Sequence, residues 1–384
     1  MQINNQFSSI RGKIGILLMA VTDNDGADQY ERILALRHTL HEHTSLLVWC
    51  NSRSALERFD TWMQARGETA ERRQLGDRLP AKFGCLLLAP AEEAGLTFYS
   101  HWVRDPFVWK WNEPEGPVLL DSRDAENEDS LWGLLHLKNL QFDGAGPVTV
   151  KRLALPVAGG NLLFDEDFVL AGAKQLRQSA ARSADADPAA ALLQNLNGTA
   201  AGKPFRRVIA VGDHTEQEPP KLIHIDLYLS LTGQRRQGRY LILLGRCEQV
   251  CGSAAPDPDL ARSVAGMNAY LDAVENQLAG AGFAVERNPI PVLQMRNANE
   301  SYLCAYNNCL TEVVDGAQPV VWLARLSYGQ ANKDYYENLL TLERANIERW
   351  EQAGFEVRMV DADFHTILDD QGSLHCITNE ILRI

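Results

Sequence analysis

The sequence predicts an α/β fold, because strand and helix patterns alternate along the chain and one layout occurs twice. A helical pattern over 257–279 leads into Ala281-Gly282-Phe283 and then a strand. A second helical pattern over 332–352 leads into Ala353-Gly354-Phe355 and a strand with Val and Arg in the same places, 72 residues later. Alternation of strand and helix is typical of layered α/β proteins. The recurrence, unless it is a chance match, favours a propeller or another repeat architecture.

The amino-terminal elements follow from apolar runs and helical spacing. Buried strands appear as short apolar runs, and helices as apolar residues that return on one face. A Ser before such a helix is a typical cap. The predicted elements are strand 13–20, helix 27–41, strand 45–50, helix 52–66 capped by Ser52 or Ser54, and strands 85–89 and 97–103.

The middle of the chain continues the alternation. Leu222 to Leu231 alternates polar and apolar residues, as a strand does, so His224 and Asp226 are expected on one face of it. The other predicted elements are strand 148–155, a hairpin of 162–164 and 168–171, a helical region 174–202 with a loose connector at 182–188, and strands 207–211 and 240–244.

Composition narrows the class of protein. The chain has 384 residues and a formal net charge of −13, which disfavours nucleic-acid binding, since that needs a basic surface. Seven Cys, mostly in apolar runs, indicate a reducing compartment, so a cytoplasmic location is expected. The apolar run 14–21 resembles a core strand more than a signal peptide, and no run is long enough to span a membrane. No metal site is predicted, because the Cys pairs lack His partners at zinc spacing.

Cys376 is the candidate nucleophile. It lies in the segment Gly372-Ser373-Leu374-His375-Cys376-Ile377-Thr378-Asn379-Glu380. Counted back from residue 384, Cys376 is the ninth residue. One Cys among seven is ordinarily an inert core residue. Here small residues precede it and polar residues follow, and a thiol with a His and acids elsewhere in the sequence is the pattern of a nucleophile that the fold assembles.

Three further segments contain candidate functional residues. Asp105 stands among aromatic residues, where a carboxylate needs a partner, and Arg104 is one candidate for a structural ion pair. Gly159-Gly160-Asn161 is by itself only a turn signal. His224 and Asp226 form an acid/base pair if they share a face, although a solvated strand face would look the same.

These segments together resemble the guanidine-modifying (pentein) superfamily, above all agmatine deiminases and bacterial peptidylarginine deiminases. The resemblance runs from about Phe98 to Ile381 and rests on four short motifs in the family's order. It implies one domain over 1–384, a five-bladed α/β propeller of ββαβ modules with a pseudo-five-fold repeat. The motifs are 102–107, 159–161, 224–228 and 374–378, and a fifth segment, Tyr306 to Leu310, looks like the one that offers an Asn beside the nucleophile.

The resemblance also implies site residues and a reaction. Asp105 and Asp226 would grip a guanidinium, Cys376 would attack its carbon, and His224 would act as general acid and then general base. No metal or organic cofactor would be needed, and the products would be ammonia and a ureido compound. The substrate-binding residues expected on the same basis are Trp102, Arg104, Gly159, Gly160, Asn161 and Asn308.

The substrate is left open between a small guanidino compound and an arginine-containing peptide. Agmatine-type members often carry an acid just before the paired glycines, where this chain has Ala158, yet the segment around Cys376 resembles the agmatine branch. Two other functions remain open. One is amidino transfer, in which an amine resolves the covalent intermediate, and the other is a non-catalytic propeller that binds a partner. A homodimer is also left open.

Overall fold

A computed structural model describes most of the chain. The described residues are 8–80, 82–89, 102–104, 107–112, 116–121, 140–143, 147–153, 155, 157–183, 187–199, 204–212, 219–251, 258–294, 301–368 and 372–384. The predicted strand 97–103 falls mostly outside this part, and Trp102 and Val103, which are inside it, are not in a strand.

The described part is a mixed α/β fold. The helices are α1 (Ala27–Thr39), α2 (Arg53–Gln64), α3 (Ala173–Ser183), α4 (Pro188–Thr199), α5 (Pro258–Gly280), α6 (Tyr336–Gln352) and α7 (His365–Leu368). The strands are β1 (Ile14–Val21), β2 (Ser45–Cys50), β3 (Glu71–Gln74), β4 (Arg78–Leu79), β5 (Cys85–Ala89), β6 (Phe107–Asn112), β7 (Gly116–Asp121), β8 (Gln141–Phe142), β9 (Thr149–Arg152), β10 (Leu162–Asp165), β11 (Phe168–Gly172), β12 (Arg207–Val211), β13 (Leu229–Arg236), β14 (Arg239–Val250), β15 (Ala284–Gln294), β16 (Ser301–Leu303), β17 (Leu310–Glu312), β18 (Val320–Ala324), β19 (Glu356–Val360) and β20 (Asn379–Arg383).

One pairing scheme recurs through the sheets. An antiparallel pair is followed by a parallel partner in β10–β11–β12, in β13–β14–β15 and in β17–β18–β19. The strands β6, β7 and β9 are paired in the same way, and so are β20, β1 and β2. Where the helices are described, they connect the second strand of each unit to its third, because a parallel neighbour requires a crossover. The recurrence of α5 and α6 in the sequence is thus a recurrence of structure.

The carboxyl-terminal strand completes the first sheet. β20 runs antiparallel to β1, whose other neighbour is β2, so both ends of the chain enter one sheet of order β20–β1–β2–β5–β3. All eight residues of β1 and all six of β2 are buried, which explains their continuous apolar sequences. This sheet anchors the segment that carries Cys376, because that segment runs directly into β20.

The helix α2 begins as its sequence predicts. The Ser52 hydroxyl accepts a hydrogen bond from the backbone N–H of Ala55 at 2.9 Å and so caps the helix. Among the described helices, none combines the length and apolar composition needed to cross a membrane.

Candidate active site

Cys376 lies in a tight turn directly before β20. The Thr378 hydroxyl donates to the carbonyl oxygen of Leu374 at 2.9 Å, and the Thr378 N–H donates to that of His375 at 3.2 Å. Gly372 precedes the turn, where an added Cβ would come 2.2 Å from the Trp102 ring. A side chain there would have to displace the ring, so Gly372 has the close-packing role that the sequence suggested.

Asn308 holds the thiol and the backbone around it. Its Oδ1 accepts hydrogen bonds from the backbone N–H groups of Ser373 and Cys376, both at 3.1 Å. Its Nδ2 donates to Cys376 Sγ at 3.0 Å. An amide donor at that distance stabilises a thiolate once one forms, because the hydrogen bond is stronger to the charged sulfur. The structure therefore brings Asn308 beside Cys376, as expected.

Asp226 stands on the other side of the thiol. Its Oδ2 lies 3.6 Å from Cys376 Sγ and 2.7 Å from His375 Nδ1. The carboxylate is 2% exposed, and its Oδ1 has no hydrogen-bond partner within the part of the chain that the structure describes. A buried carboxylate oxygen without a partner is costly, so an arrangement of this kind suits the binding of a cation.

The predicted strand over 222–231 is wrong at its start. Residues Ile225–Leu227 form a short 3₁₀ turn, and the strand β13 begins only at Leu229. Asn161 Oδ1, from a distant segment, accepts from the Ile225 N–H at 3.0 Å, so that donor is not available to a strand ladder. Within the turn, the Leu227 and Tyr228 N–H groups donate to the carbonyl oxygens of His224 and Ile225. His224, at the start of the turn, keeps an extended backbone.

His224 and Asp226 nevertheless meet around Gly160. A Cβ added to Gly160 would lie 2.8 Å from His224 Nδ1 and 3.2 Å from each Asp226 carboxylate oxygen. The two side chains therefore reach one spot, although no strand face carries them there. Gly159 is equally constrained, since its Cβ would meet the carbonyl oxygen of Arg104 at 2.0 Å.

Asn161 ties these segments together. Besides accepting from Ile225, its amide donates to the Ile223 carbonyl oxygen at 3.2 Å and to Gln175 Oε1 at 3.0 Å. The side chain is 3% exposed. Asn161 was expected among the substrate-binding residues, and in this structure both hydrogens of its amide nitrogen and one acceptor site of its oxygen hold the loop that presents His224 and Asp226.

Gly160→Ala is expected to lower turnover about 100-fold, because the new methyl group must displace the His224 ring or the Asp226 carboxylate by a substantial fraction of an ångström. Turnover is measured as ammonia release. Gly266→Ala is the matched control, since Gly266 lies exposed in α5 with open space around its Cβ position. That change should leave turnover intact and stabilise the helix by about 0.5–1 kcal/mol. Equal activity of the two variants would contradict the close approach.

Arg104 is committed to a structural ion pair. Its guanidinium contacts Glu380, its Nε lies 3.4 Å from the His375 carbonyl oxygen, and its backbone N–H donates to the Cys376 carbonyl oxygen at 3.3 Å. Arg104 thus supports the segment of Cys376 through its backbone carbonyls. Asp105 lies outside the described residues, so its expected position remains a prediction.

His375 is a site residue that sequence reasoning passed over. Its ring is buried, and its Nδ1 is hydrogen-bonded to the carboxylate beside the thiol. The sequence feature that could have identified His375 is its position immediately before Cys376. In the turn at 374–377, the two neighbouring side chains lie on either side of Asp226 Oδ2.

Other thiols of the chain are poorly suited to nucleophilic chemistry. Burial raises the pKa of Cys85 to about 11 and the pKa values of Cys247 and Cys309 to about 12. Burial also raises the pKa of Cys50 and of Cys304 well above the ordinary range. These five thiols stay protonated at neutral pH. Within the described part of the chain, no group of three or more His, Cys, Asp or Glu side chains could hold a metal ion.

No protein-family model matches the sequence, and no curated protein matches it either. Solved structures of dimethylarginine dimethylaminohydrolase match the structure of this chain. One is the enzyme from Pseudomonas aeruginosa, a Cys-to-Ser variant with citrulline, at 13% identity and a TM-score of 0.35. Two others, each at 13% identity and a TM-score of 0.36, are an adduct with 4-chloro-2-hydroxymethylpyridine and a His-to-Gly variant adduct with S-methyl-L-thiocitrulline.

Each match covers 97% of this chain and 100% of the other chain. A likeness of this size does not establish a shared activity or substrate.

Proposed function

We propose that this chain is a hydrolase that removes ammonia from a guanidino compound through a covalent bond to Cys376. The observation that carries the proposal is the buried carboxylate of Asp226. Its Oδ1 has no partner among the described residues, while its Oδ2 lies 3.6 Å from Cys376 Sγ. An anionic acceptor beside a nucleophile suits a substrate that is both a cation and an electrophile, and a guanidinium is both.

Each residue has a distinct role in the proposed reaction. Asp226 accepts guanidinium N–H groups and thereby places the central carbon near the thiolate, which the Asn308 amide stabilises. Sγ forms a bond to that carbon, and His224 protonates the nitrogen that leaves as ammonia. The remaining thiouronium is attacked by water, whose proton goes to His224. The carbon–sulfur bond then breaks as the hydroxyl on that carbon loses its remaining proton to solvent, which returns the thiolate, leaves His224 protonated for the next turnover and gives the ureido product.

The geometry supports His224 for the proton transfers. His224 is half-buried and reaches the Asp226 carboxylate across Gly160, whereas the His375 ring is buried and bonded to that carboxylate through Nδ1. A general acid and base must reach both substrate and water. His375 is therefore assigned to support and His224 to catalysis.

The wider architecture in this proposal is a single-domain propeller of five ββαβ modules. The repeated pairing of an antiparallel and then a parallel strand supports it. Asp105 is proposed as the second carboxylate of the guanidinium clamp, and Trp102 and Gly159 as parts of the pocket wall. The proposal includes a cytoplasmic location and needs no cofactor.

The test is ammonia release from a panel of guanidino compounds. Agmatine, free arginine, a peptide with internal arginine and a peptide with carboxyl-terminal arginine are each incubated with the full chain and with Cys376→Ser. At least one compound should release ammonia with the parent chain only, and mass spectrometry should find the ureido product. If an added amine is required for product formation, the activity is amidino transfer. If no compound reacts with the parent chain or binds to it, the hydrolase proposal is wrong.

A further inference from the structure

His375 and Asp226 form a buried pair whose purpose the proposed reaction does not explain. The two side chains are 5% and 2% exposed, and His375 Nδ1 lies 2.7 Å from Asp226 Oδ2. A carboxylate can only accept a hydrogen bond, so Nδ1 carries the hydrogen in this contact. The Nδ1–H group of His375 therefore donates its hydrogen bond to Asp226 Oδ2.

The two carboxylate oxygens of Asp226 have different contacts. Oδ2 receives the His375 N–H and faces Cys376 Sγ at 3.6 Å, while Oδ1 has no partner among the described residues. A carboxylate turns readily about its last side-chain bond, because that torsion has broad minima. A donor fixed on one oxygen is therefore what decides where the other oxygen points.

One side of the pair borders a small cavity. A cavity with room for about one water molecule lies against both His375 and Asp226. Ser230, Asn307 and Thr311 also line it. Part of the surroundings of the pair is thus open space, while Oδ2 is held by the His375 N–H at 2.7 Å and contacted by Cys376 Sγ at 3.6 Å.

We infer that His375 is a positioning residue for guanidinium binding. By donating from Nδ1 to Asp226 Oδ2, it holds the carboxylate so that Oδ1 is presented to the substrate and Oδ2 stays beside the thiol. The inference rests on the proposed function, because it concerns the carboxylate that is proposed to grip the guanidinium. It separates the two histidines: His224 moves protons, and His375 orients an acceptor.

An isosteric pair of variants tests the hydrogen bond. His375→Asn keeps an N–H donor at the atom position that Nδ1 occupies, and His375→Leu has the same size without the donor. The probe is methylguanidinium, which carries the guanidinium group and no other substrate feature. The readout is the concentration of methylguanidinium that halves the rate at which iodoacetamide alkylates Cys376, so no turnover is required.

The Leu variant should need about tenfold more methylguanidinium or higher, and the Asn variant should recover most of the parent value. Equal protection of the two variants would overturn the inference. His38→Leu, on an exposed His that pairs with Glu68, controls for loss of a surface imidazole and should match the parent. If His375→Leu does not fold, His375→Gln replaces it, because its amide lies one carbon too far to reproduce Nδ1. Failure of methylguanidinium to protect the parent chain would count against the proposed function itself.

Discussion

Cys376→Ser is expected to lower turnover by about 10⁴-fold or more while guanidinium binding is largely kept. A hydroxyl is far less ionised than a thiol at neutral pH, so the covalent intermediate no longer forms at a useful rate. Binding persists because Asp226, and not the thiol, holds the cation in the proposed site. Ammonia release measures turnover, and calorimetry with the best compound of the panel measures binding.

Two controls separate the nucleophile from a thiol that merely packs. Cys251→Ser changes the one half-buried thiol among the described cysteines and should leave turnover unchanged. In the parent chain, an amidine-based haloacetamide should alkylate Cys376 first, because burial keeps Cys50, Cys85 and Cys304 protonated. First labelling at Cys251 with Cys376 untouched would show that the nucleophile is misassigned.

Strands with continuous apolar sequence were predictable at residue level. Ser45–Cys50, Cys85–Ala89 and Arg207–Val211 have the bounds that the sequence predicts. The first two are buried along their whole length, so a short apolar run bounded by polar residues is enough to define them. In these two strands, the apolar sequence and the buried environment both indicate the same structure.

The strand predicted around His224 was wrong because its local pattern and its surroundings in the fold do not agree. Its alternation of polar and apolar residues is local, whereas the Asn161 side chain that takes the Ile225 N–H lies 64 residues earlier. This long-range contact, which a local pattern does not encode, accompanies the turn that the structure has in place of the strand. His224 and Asp226 still lie close together, because both side chains approach the Cβ position of Gly160.

His375 and Arg104 show what residue type alone does not reveal. A His next to a candidate nucleophile was less conspicuous than a His-x-Asp motif, and only the structure shows that its ring reaches Asp226. For Arg104, expected at the substrate or beside Asp105, the structure adds a partner that the sequence did not indicate, Glu380, 276 residues away. The expected roles of Cys376, His224, Asp226 and Asp105 stay predictions.

Glu380 anchors this segment electrostatically, and its ionisation should set a stability limit at low pH. The carboxylate contacts Arg104, and its Oε1 lies 3.1 Å from Arg383 Nη2. Burial alone would raise the pKa of Glu380, but Arg104, Arg383 and His375 outweigh burial and lower it from 4.5 to about 2. A folded-state pKa below the unfolded value stabilises the fold at neutral pH, by about 3 kcal/mol here, and this is lost as the pH falls from about 4.5 towards 2.

Glu380→Gln should therefore lower the free energy of unfolding by about 3–5 kcal/mol at pH 7, because it leaves two buried guanidinium groups without their carboxylate. The loss should shrink as the pH approaches 2, where the parent carboxyl also becomes neutral. Chemical denaturation at pH 7, 4 and 3 measures both effects. Glu356→Gln is the control, since its pair with Arg358 is 46% exposed on the Glu side and should contribute less than about 1 kcal/mol. A Glu380→Gln loss as small as that of the control, or one independent of pH, would mean that this carboxylate does not hold the Cys376 segment through its charge.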